Sequence, residues 1–256
     1  MRATPRFDLL RALGTLGTAL LFLAGATAAL AQPVPGKASP EETCKQCHAD
    51  YVIAYAASKH GTKAALRAPA NNGGCLACHG DGALEHAAKS GGKGVGGVLG
   101  FNDRKVLAET KNEVCLTCHQ GGKRIHWDRS THAASEVACV SCHKVHAAHD
   151  KVRDKMTQTE VCFTCHKEQL AQMRRPSRHP IDEGKVVCSD CHNPHGTAGP
   201  KLLVRDSVND TCYTCHMEKR GPFVRSHEPV QEDCTICHNP HGTTTPALLK
   251  VRPPFL

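Results

Sequence analysis

Apolar residues are distributed along this chain in two different ways. Residues 12–30 form an almost unbroken run of Ala, Leu, Gly and Phe, preceded by Arg2, Arg6 and Arg11. Ala29-Leu30-Ala31 then presents small residues where a signal peptidase reads, and Gln-Pro-Val-Pro follows. A positive start, an apolar stretch and an A-x-A site predict a secretory signal peptide over residues 1–31, with a mature chain from about Gln32. The run is also about long enough to span a membrane as a retained anchor. The A-x-A site and the proline break favour cleavage and export.

Beyond residue 31 the pattern breaks up. No stretch alternates for long enough to predict a sheet. Helical spacing is confined to short pieces, the longest being VCFTCHKEQLAQMR at 161–174. Proline and glycine interrupt the rest, as at Pro176, Pro180, Pro194-His195-Gly196, Gly221-Pro222 and Pro240-His241-Gly242. Residues 90–100, SGGKGVGGVLG, contain a formal G-x-G-x-x-G. Without a strand before it or a helix after it, the segment reads as a flexible linker. The predicted architecture is short helices and loops with little or no β-sheet.

Such elements bury little apolar surface by themselves, and the composition deepens the problem. Aromatics are 4% of the chain, with one Trp and three Tyr, while Cys reaches 16. A core of ordinary kind draws on aromatic and branched aliphatic side chains. Here something other than side chains has to supply it.

Sixteen cysteines in an exported protein could form eight disulfides. Their spacing argues against that. They fall as Cys44 and Cys47, Cys75 and Cys78, Cys115 and Cys118, Cys139 and Cys142, Cys162 and Cys165, Cys188 and Cys191, Cys212 and Cys215, and Cys234 and Cys237. Each pair is C-x-x-C, and each is followed at once by His48, His79, His119, His143, His166, His192, His216 or His238. Zinc sites also use C-x-x-C, but they do not require a histidine at one fixed place after every pair. The pattern predicts eight covalently bound haems c. Cysteines at i and i+3 share one face of a helical turn. From there both sulfurs reach the vinyl groups on one porphyrin edge, and the histidine at i+4 becomes the proximal iron ligand. The macrocycles then form most of the apolar interior.

Ten histidines remain, and eight of them follow a rule. In units of two motifs, C-x-x-C-H leads to a lone histidine, then to a second C-x-x-C-H and a trailing histidine. The units span about 44–86, 115–146, 162–195 and 212–241 within an octahaem region of residues 32–256. The lone histidines are His60, His132, His179 and His227, and the trailing ones are His86, His146, His195 and His241. These eight are the predicted distal ligands, with His126 and His149 left over. Histidines at i and i+3 project from one side of a turn, so His195 cannot serve the iron held by His192. It is expected to ligate a neighbouring haem, and His241 likewise. Bis-histidine iron lacks the Met ligand that raises its potential. Met156, Met173 and Met217 are too few to serve eight irons. No catalytic residue is identified, and an electron carrier is expected rather than an enzyme.

Charge does not change this picture. The formal +8 includes +2 from the leader. Propionates and ferric irons of eight haems would bring the oxidised protein to about −2. Nothing argues for a nucleic-acid partner.

VCFTCHKEQ at 161–169, SRHP at 177–180, CSDCHNPHG at 188–196, VNDTCYTCHMEKRGP at 208–222 and CTICHNPHG at 234–242 resemble the MtrA/PioA/DmsE-type decahaem c-type cytochromes. The resemblance covers most of the chain from Cys44 onward and includes residues between the motifs. It implies a periplasm-facing bis-histidine haem wire. In conduit members the cytochrome sits within an outer-membrane β-barrel porin. Electrons pass between periplasmic or inner-membrane carriers and an extracellular cytochrome, mineral or other acceptor. Matching positions imply the same distal set as the spacing does. One departure stands out: this chain has eight motifs against the family's ten and looks short at its C-terminal end. The alternatives are a soluble periplasmic carrier or electron-transfer subunit for a terminal reductase, and an octahaem enzyme acting on small nitrogen or sulfur compounds.

Overall fold

The computed structural model describes residues 39–89, 91–92 and 95–256. The predicted signal peptide lies outside the described residues. Among the described residues no strand forms, and pairing is limited to isolated bridges such as Ser177↔Thr243, His192↔Leu203 and His238↔Leu249. The longest helices are Ala49–Ala56 and Ala108–Leu116. Isolated helices this short are marginal in water because nucleation is costly. Their stability has to come from caps and from what they pack against. No helix among the described residues is long and apolar enough to cross a membrane.

Side chains supply only a thin core. Among the described residues the buried apolar ones are Tyr55, Ala68, Ala83, Trp127, Ala138, Met173, Ile181, Val187 and Leu203, and three of these nine are alanines. This shortage is what the composition predicts for an interior built around another group.

Every C-x-x-C-H forms one helical turn, closed by a hydrogen bond from the histidine N–H to the carbonyl of the first cysteine at 2.8–3.0 Å. The two motifs of a unit are made differently. First motifs end a helix that begins upstream: Pro40–Lys45, Ala108–Leu116, Gln158–Cys162 and Val208–Tyr213. Ser39 starts one of these with a capping box to Glu42, and Ser207 caps another at the Asp210 N–H. Second motifs are little more than their own turn, as in Cys139–Cys142 and Cys188–Cys191, each entered from an extended residue.

The first motif of every unit, and the last motif of all, correct the simple picture of two cysteines on one α-helical turn. Cys47, Cys118, Cys165 and Cys215 lie beyond the ends of their helices, and Cys237 follows a 3₁₀ turn, Cys234–Ile236. The physical reason is the tightening of the chain where a helix ends. The Cys47 N–H donates to the Cys44 carbonyl at 3.2 Å, an i to i+3 bond that still brings the two cysteines of the motif together. At the other end the Cys237 carbonyl accepts from the Lys250 N–H at 2.8 Å, which ties the last motif to the chain beyond it.

The helix expected over 161–174 is in fact two, Gln158–Cys162 and Lys167–Met173. His166, with φ −83° and ψ 66°, separates them. The break has a physical reason: closing the C-x-x-C-H turn takes His166 out of helical register.

Buried amides bind the two motifs of a unit together. Asn112 donates to the Val137 carbonyl at 3.1 Å and accepts from the Cys139 N–H at 2.7 Å. Asn209 repeats this, donating to the carbonyls of Val230 and Gln231 and accepting from the Cys234 N–H at 2.7 Å. Gln158 does so in the third unit, with Val152 and Ser189. Replacing Asn209 by alanine orphans the Cys234 N–H and two carbonyls. A loss of about 1–3 kcal/mol is expected, read as a lower thermal midpoint at unchanged haem content.

Successive units are also sewn to each other. The loop 193–196 returns to the second unit, where Asn193 donates to the Lys123 carbonyl at 2.7 Å. The equivalent loop 239–242 returns to the third, where Asn239 donates to Gln172 Oε1 at 3.3 Å. The described part of the Gly-rich connection is packed as well as permissive. Gly96, at φ 79°, lies so close to the His86 backbone that a side chain there would collide with it.

Candidate haem-binding sites

Seven of the eight predicted distal histidines lie against proximal ones, and every pairing but that of His48 with His86 crosses units. Ring centroids are 6.4 Å apart for His48 and His86, and 6.1 Å for His79 and His146. They are 5.9 Å apart for His119 and His60, and 6.1 Å for His143 and His195. The remaining pairs are His166 with His132 at 6.0 Å, His192 with His241 at 6.2 Å and His216 with His179 at 6.3 Å. Metal–nitrogen bonds of about 2 Å on each side, plus the half-width of each ring, put two imidazoles on one iron roughly 6 Å apart. No histidine is used twice. His195 faces His143 and not His192, as the i, i+3 geometry demands.

Hydrogen bonds fix which nitrogen faces inward. Nδ1 of His79, His192 and His238 faces the carbonyl of Leu99, Lys201 and Ala247 at 2.8, 2.9 and 2.8 Å. Among the distal set, His86 uses the Val95 carbonyl, His132 that of Pro194 and His179 that of Pro240, at 3.1, 2.9 and 2.9 Å. His143 Nδ1 meets the Asp150 carboxylate at 2.7 Å. Such partners hold a ligating imidazole in one tautomer and orientation, leaving Nε2 for the metal. Lys201 and Ala247 reach their histidines from left-handed backbone, at φ 51° and 55°. For L-residues that conformation costs about 1–2 kcal/mol each, strain of the kind that gathers at functional sites.

The repeated C-x-x-C-H-N-P-H-G thus does three things at once. Its last histidine faces a ring of the preceding unit, His195 at His143 and His241 at His192. Its proline carbonyl orients that unit's lone histidine. Its glycine lets the loop press against that unit's backbone, at the His126 carbonyl for Gly196 and the Gln172 carbonyl for Gly242.

Burial favours the neutral form, the one that ligates metal, in four of the distal rings. His195 is pulled down to about 4, first by burial and then by the neighbouring charges of His143, Arg124, His132 and Lys123. His60, His146 and His241 are lowered for the same first reason.

The thiols show the order of the sites. Cys75 is pushed up to about 11 by burial and by the adjacent Cys44, and Cys212 to about 12 by burial and Cys234. Cys115 is raised and Cys139 lowered by their shared hydrogen bond. The Cys162–Cys188 pair behaves alike, with Cys188 drawn down to about 7. Between units, Cys78 feels Cys115 and Cys118, Cys142 feels Cys165, and Cys191 feels Cys215. Neighbouring thiols therefore follow chain order from the first motif to the eighth. The second cysteines of the two end motifs close the file, Cys47 exposed at one end and Cys237 half-buried at the other.

Four histidines stand apart. Among the described residues no histidine ring lies against His227 or His238; His227 lines a cleft with Tyr213, Arg220, Phe223 and Val230. His149 pairs with Asp154 at 3.3 Å and His126 faces no proximal ring. The sequence reading missed the Nδ1 acceptors and the amide clamps. A signal for the latter exists, since Asn stands three residues before Cys115 and before Cys212.

Paired thiols one turn apart, facing imidazoles and an interior short of apolar side chains all fit haem c. A doubled CXXCH motif model matches residues 179–221 and 227–256, and a cytochrome c-type protein NrfB-like model matches 75–156. The chain is 45% identical over 226 residues to the multihaem cytochrome MtrA of Shewanella baltica, covering 86% of this chain and 66% of that one. It is 30% identical over 137 residues to the cytochrome c-type protein NrfB of Haemophilus influenzae, covering 49% of this chain and 58% of that one. The chain belongs to the multihaem c-type cytochromes, the family of which MtrA is a member.

Proposed function

We propose that this chain conducts electrons along a single file of eight haems, seven of them held between paired histidines. We further propose that it does so in the periplasm, as the haem subunit of a porin–cytochrome conduit at the outer membrane. Electron transfer itself follows from membership of the multihaem cytochromes. The observation that supports the wire is the register of the histidine pairs. At each junction a lone histidine reaches forward, as His60 to His119, His132 to His166 and His179 to His216. A trailing one reaches back, as His146 to His79, His195 to His143 and His241 to His192. His86 closes the first site within its own unit.

Haem c supplies a one-electron iron couple, at low potential when two imidazoles hold it. The chain does the rest. The C-x-x-C cysteines would hold each group covalently, crossing histidines would set the spacing of neighbours, and the seven paired sets of imidazoles would keep substrates off those irons. The conduit role rests on the MtrA likeness and the predicted leader. Any barrel has to come from a partner, since spanning barrels need long strands and none forms among the described residues. Redox partners are expected at both ends of the file, a periplasmic or inner-membrane carrier at one and an extracellular cytochrome or acceptor at the other. A second reading, a diffusing carrier or a subunit for a terminal reductase, draws on the NrfB likeness.

Purification from the native host tests these readings together. The expected product carries eight haems on this region of the chain, a spectrum dominated by low-spin iron, and a co-purifying β-barrel in the outer-membrane fraction. A single haem's share of high-spin signal is compatible with His238, which faces no histidine among the described residues. Recovery without a barrel in the periplasmic fraction favours the second reading. Several high-spin haems would sink the wire and favour an octahaem enzyme.

A further inference from the structure

We propose that Asp150 is a positioning residue that makes the haem held by His143 the lowest-potential site in the file. The inference rests on His143 and His195 being the axial ligands of that haem.

Four proximal histidines, each from the second motif of its unit, have an Nδ1 acceptor among the described residues. Three of the acceptors are backbone carbonyls. His143 alone meets a carboxylate at hydrogen-bonding distance, 2.7 Å; His216 Nδ1 stands 3.7 Å from Glu218 Oε1, and both of those side chains are exposed. That carboxylate is fixed, because its other oxygen accepts from the Lys144 N–H at 3.3 Å. It is also shielded, with its side chain 19% exposed. Among the described residues no lysine or arginine forms an ion pair with it. Lys144 Nζ is spent on the Val140 carbonyl at 2.9 Å, and Lys151 pairs with Glu160 at 3.0 Å. His149, next in sequence, pairs with Asp154 instead.

A carbonyl oxygen orients an imidazole; a carboxylate also draws its Nδ1 proton and makes the ring a stronger donor. A stronger donor and a nearby negative charge both favour ferric over ferrous iron, because the ferric form carries the extra positive charge. The opposite ligand brings no comparable push, since His195 Nδ1 faces only the neutral Asn193 Oδ1 at 3.2 Å. The site has neighbours on both sides, with Cys139 beside Cys115 and Cys142 beside Cys165. An electron arriving from either neighbour crosses a high point at His143 before moving on. The Nδ1 proton stays in the His143–Asp150 bond throughout, so one electron enters, one leaves and no proton is exchanged.

The test is a redox titration of the fully haem-loaded protein, followed by electron paramagnetic resonance and compared with Asp150→Asn. Ring planes make the site visible. His143 and His195 lie 10° apart, and His48 and His86 18°. Near-parallel imidazoles give a rhombic low-spin signal, distinct from the near-perpendicular pairs of His79, His119 and His166 at 82°, 78° and 89°. In the wild type, the part of the rhombic signal that His195→Ala removes should be the last to be reduced. In Asp150→Asn that part should be reduced earlier, by at least tenfold in the reduced-to-oxidised ratio, which is about 59 mV for one electron. Asp150→Glu, which keeps the charge, should restore most of the difference.

If the wild-type signal assigned to His143 is not the last to be reduced, the proposal is overturned whatever the variants do. An unmoved titration in Asp150→Asn with full haem content overturns it too. If His195→Ala leaves the rhombic signal intact and yields no high-spin iron, the ligation reading itself has failed.

Discussion

His195→Ala converts one haem to the high-spin state and opens it to carbon monoxide, while the other seven stay as they were. The expectation comes from the isolation of the pair. His195 stands 6.1 Å from His143 with its plane nearly parallel. Burial and neighbouring cations pull its titration down to about 4, so it offers a free lone pair at any ordinary pH. No other histidine ring lies against His143 among the described residues, so nothing is placed to take over. Alanine removes the donor and leaves room where the ring was. Loss of one imidazole also removes a ligand that favours ferric iron, and the potential of that site should rise. The measurement is the high-spin signal together with carbon monoxide uptake, expected at one additional equivalent per chain. His149→Ala is the control. That ring lies beside Asp154 and away from any proximal histidine, so the spectrum should not change.

What the sequence makes legible here is whatever is local and repeated. C-x-x-C-H closes its own helical turn, so the spacing alone predicts the geometry of Cys188, Cys191 and His192, and the structure shows it. At Cys47, Cys118, Cys165, Cys215 and Cys237 the second cysteine falls past the end of its helix, and a tighter turn meets the same spacing. The rule that i and i+3 histidines share a side excluded His195 from the iron at His192. It did not identify which ring His195 meets. That choice depends on how one unit lies against the next, through Asn193 at Lys123 and Gly196 at the His126 carbonyl. These contacts join residues about 70 apart and leave no periodic trace. The break in the predicted 161–174 helix is a local conflict, in which apolar periodicity suggested continuity and the motif's own closing bond ended it. Asp150 was invisible for another reason. An aspartate seven residues after a histidine is unremarkable until the chain folds back and puts its carboxylate at Nδ1.

Gly242→Val should do more damage than any single ligand loss, because it strikes a junction and not a site. Gly242 has φ 141°, a conformation that L side chains rarely adopt, and an added Cβ would run into the Gln172 carbonyl oxygen. Strained backbone costs about 1–2 kcal/mol, and overpacking against a neighbour that cannot yield adds about 1–3 kcal/mol. The loop it distorts is held to the third unit along its length. Ser177 and Thr243 exchange backbone hydrogen bonds at 3.1 and 2.9 Å, Ser177 Oγ accepts from the Leu248 N–H at 2.9 Å, and Pro240 orients His179. Relief of the clash moves this loop off Gln172, and two haems are affected together. His192 loses the ring of His241, and His216 faces a His179 no longer held in place. The expected outcome is two high-spin haems, a lowered thermal midpoint, and protease sensitivity between the third and fourth units. Gly121→Ala is the matched control, since its φ of −98° suits any residue and no atom lies within 4 Å of the added carbon. If Gly242→Val kept a wild-type spectrum, the loop would be a passenger. The pairing of His192 with His241 would then have to be held by something other than this junction.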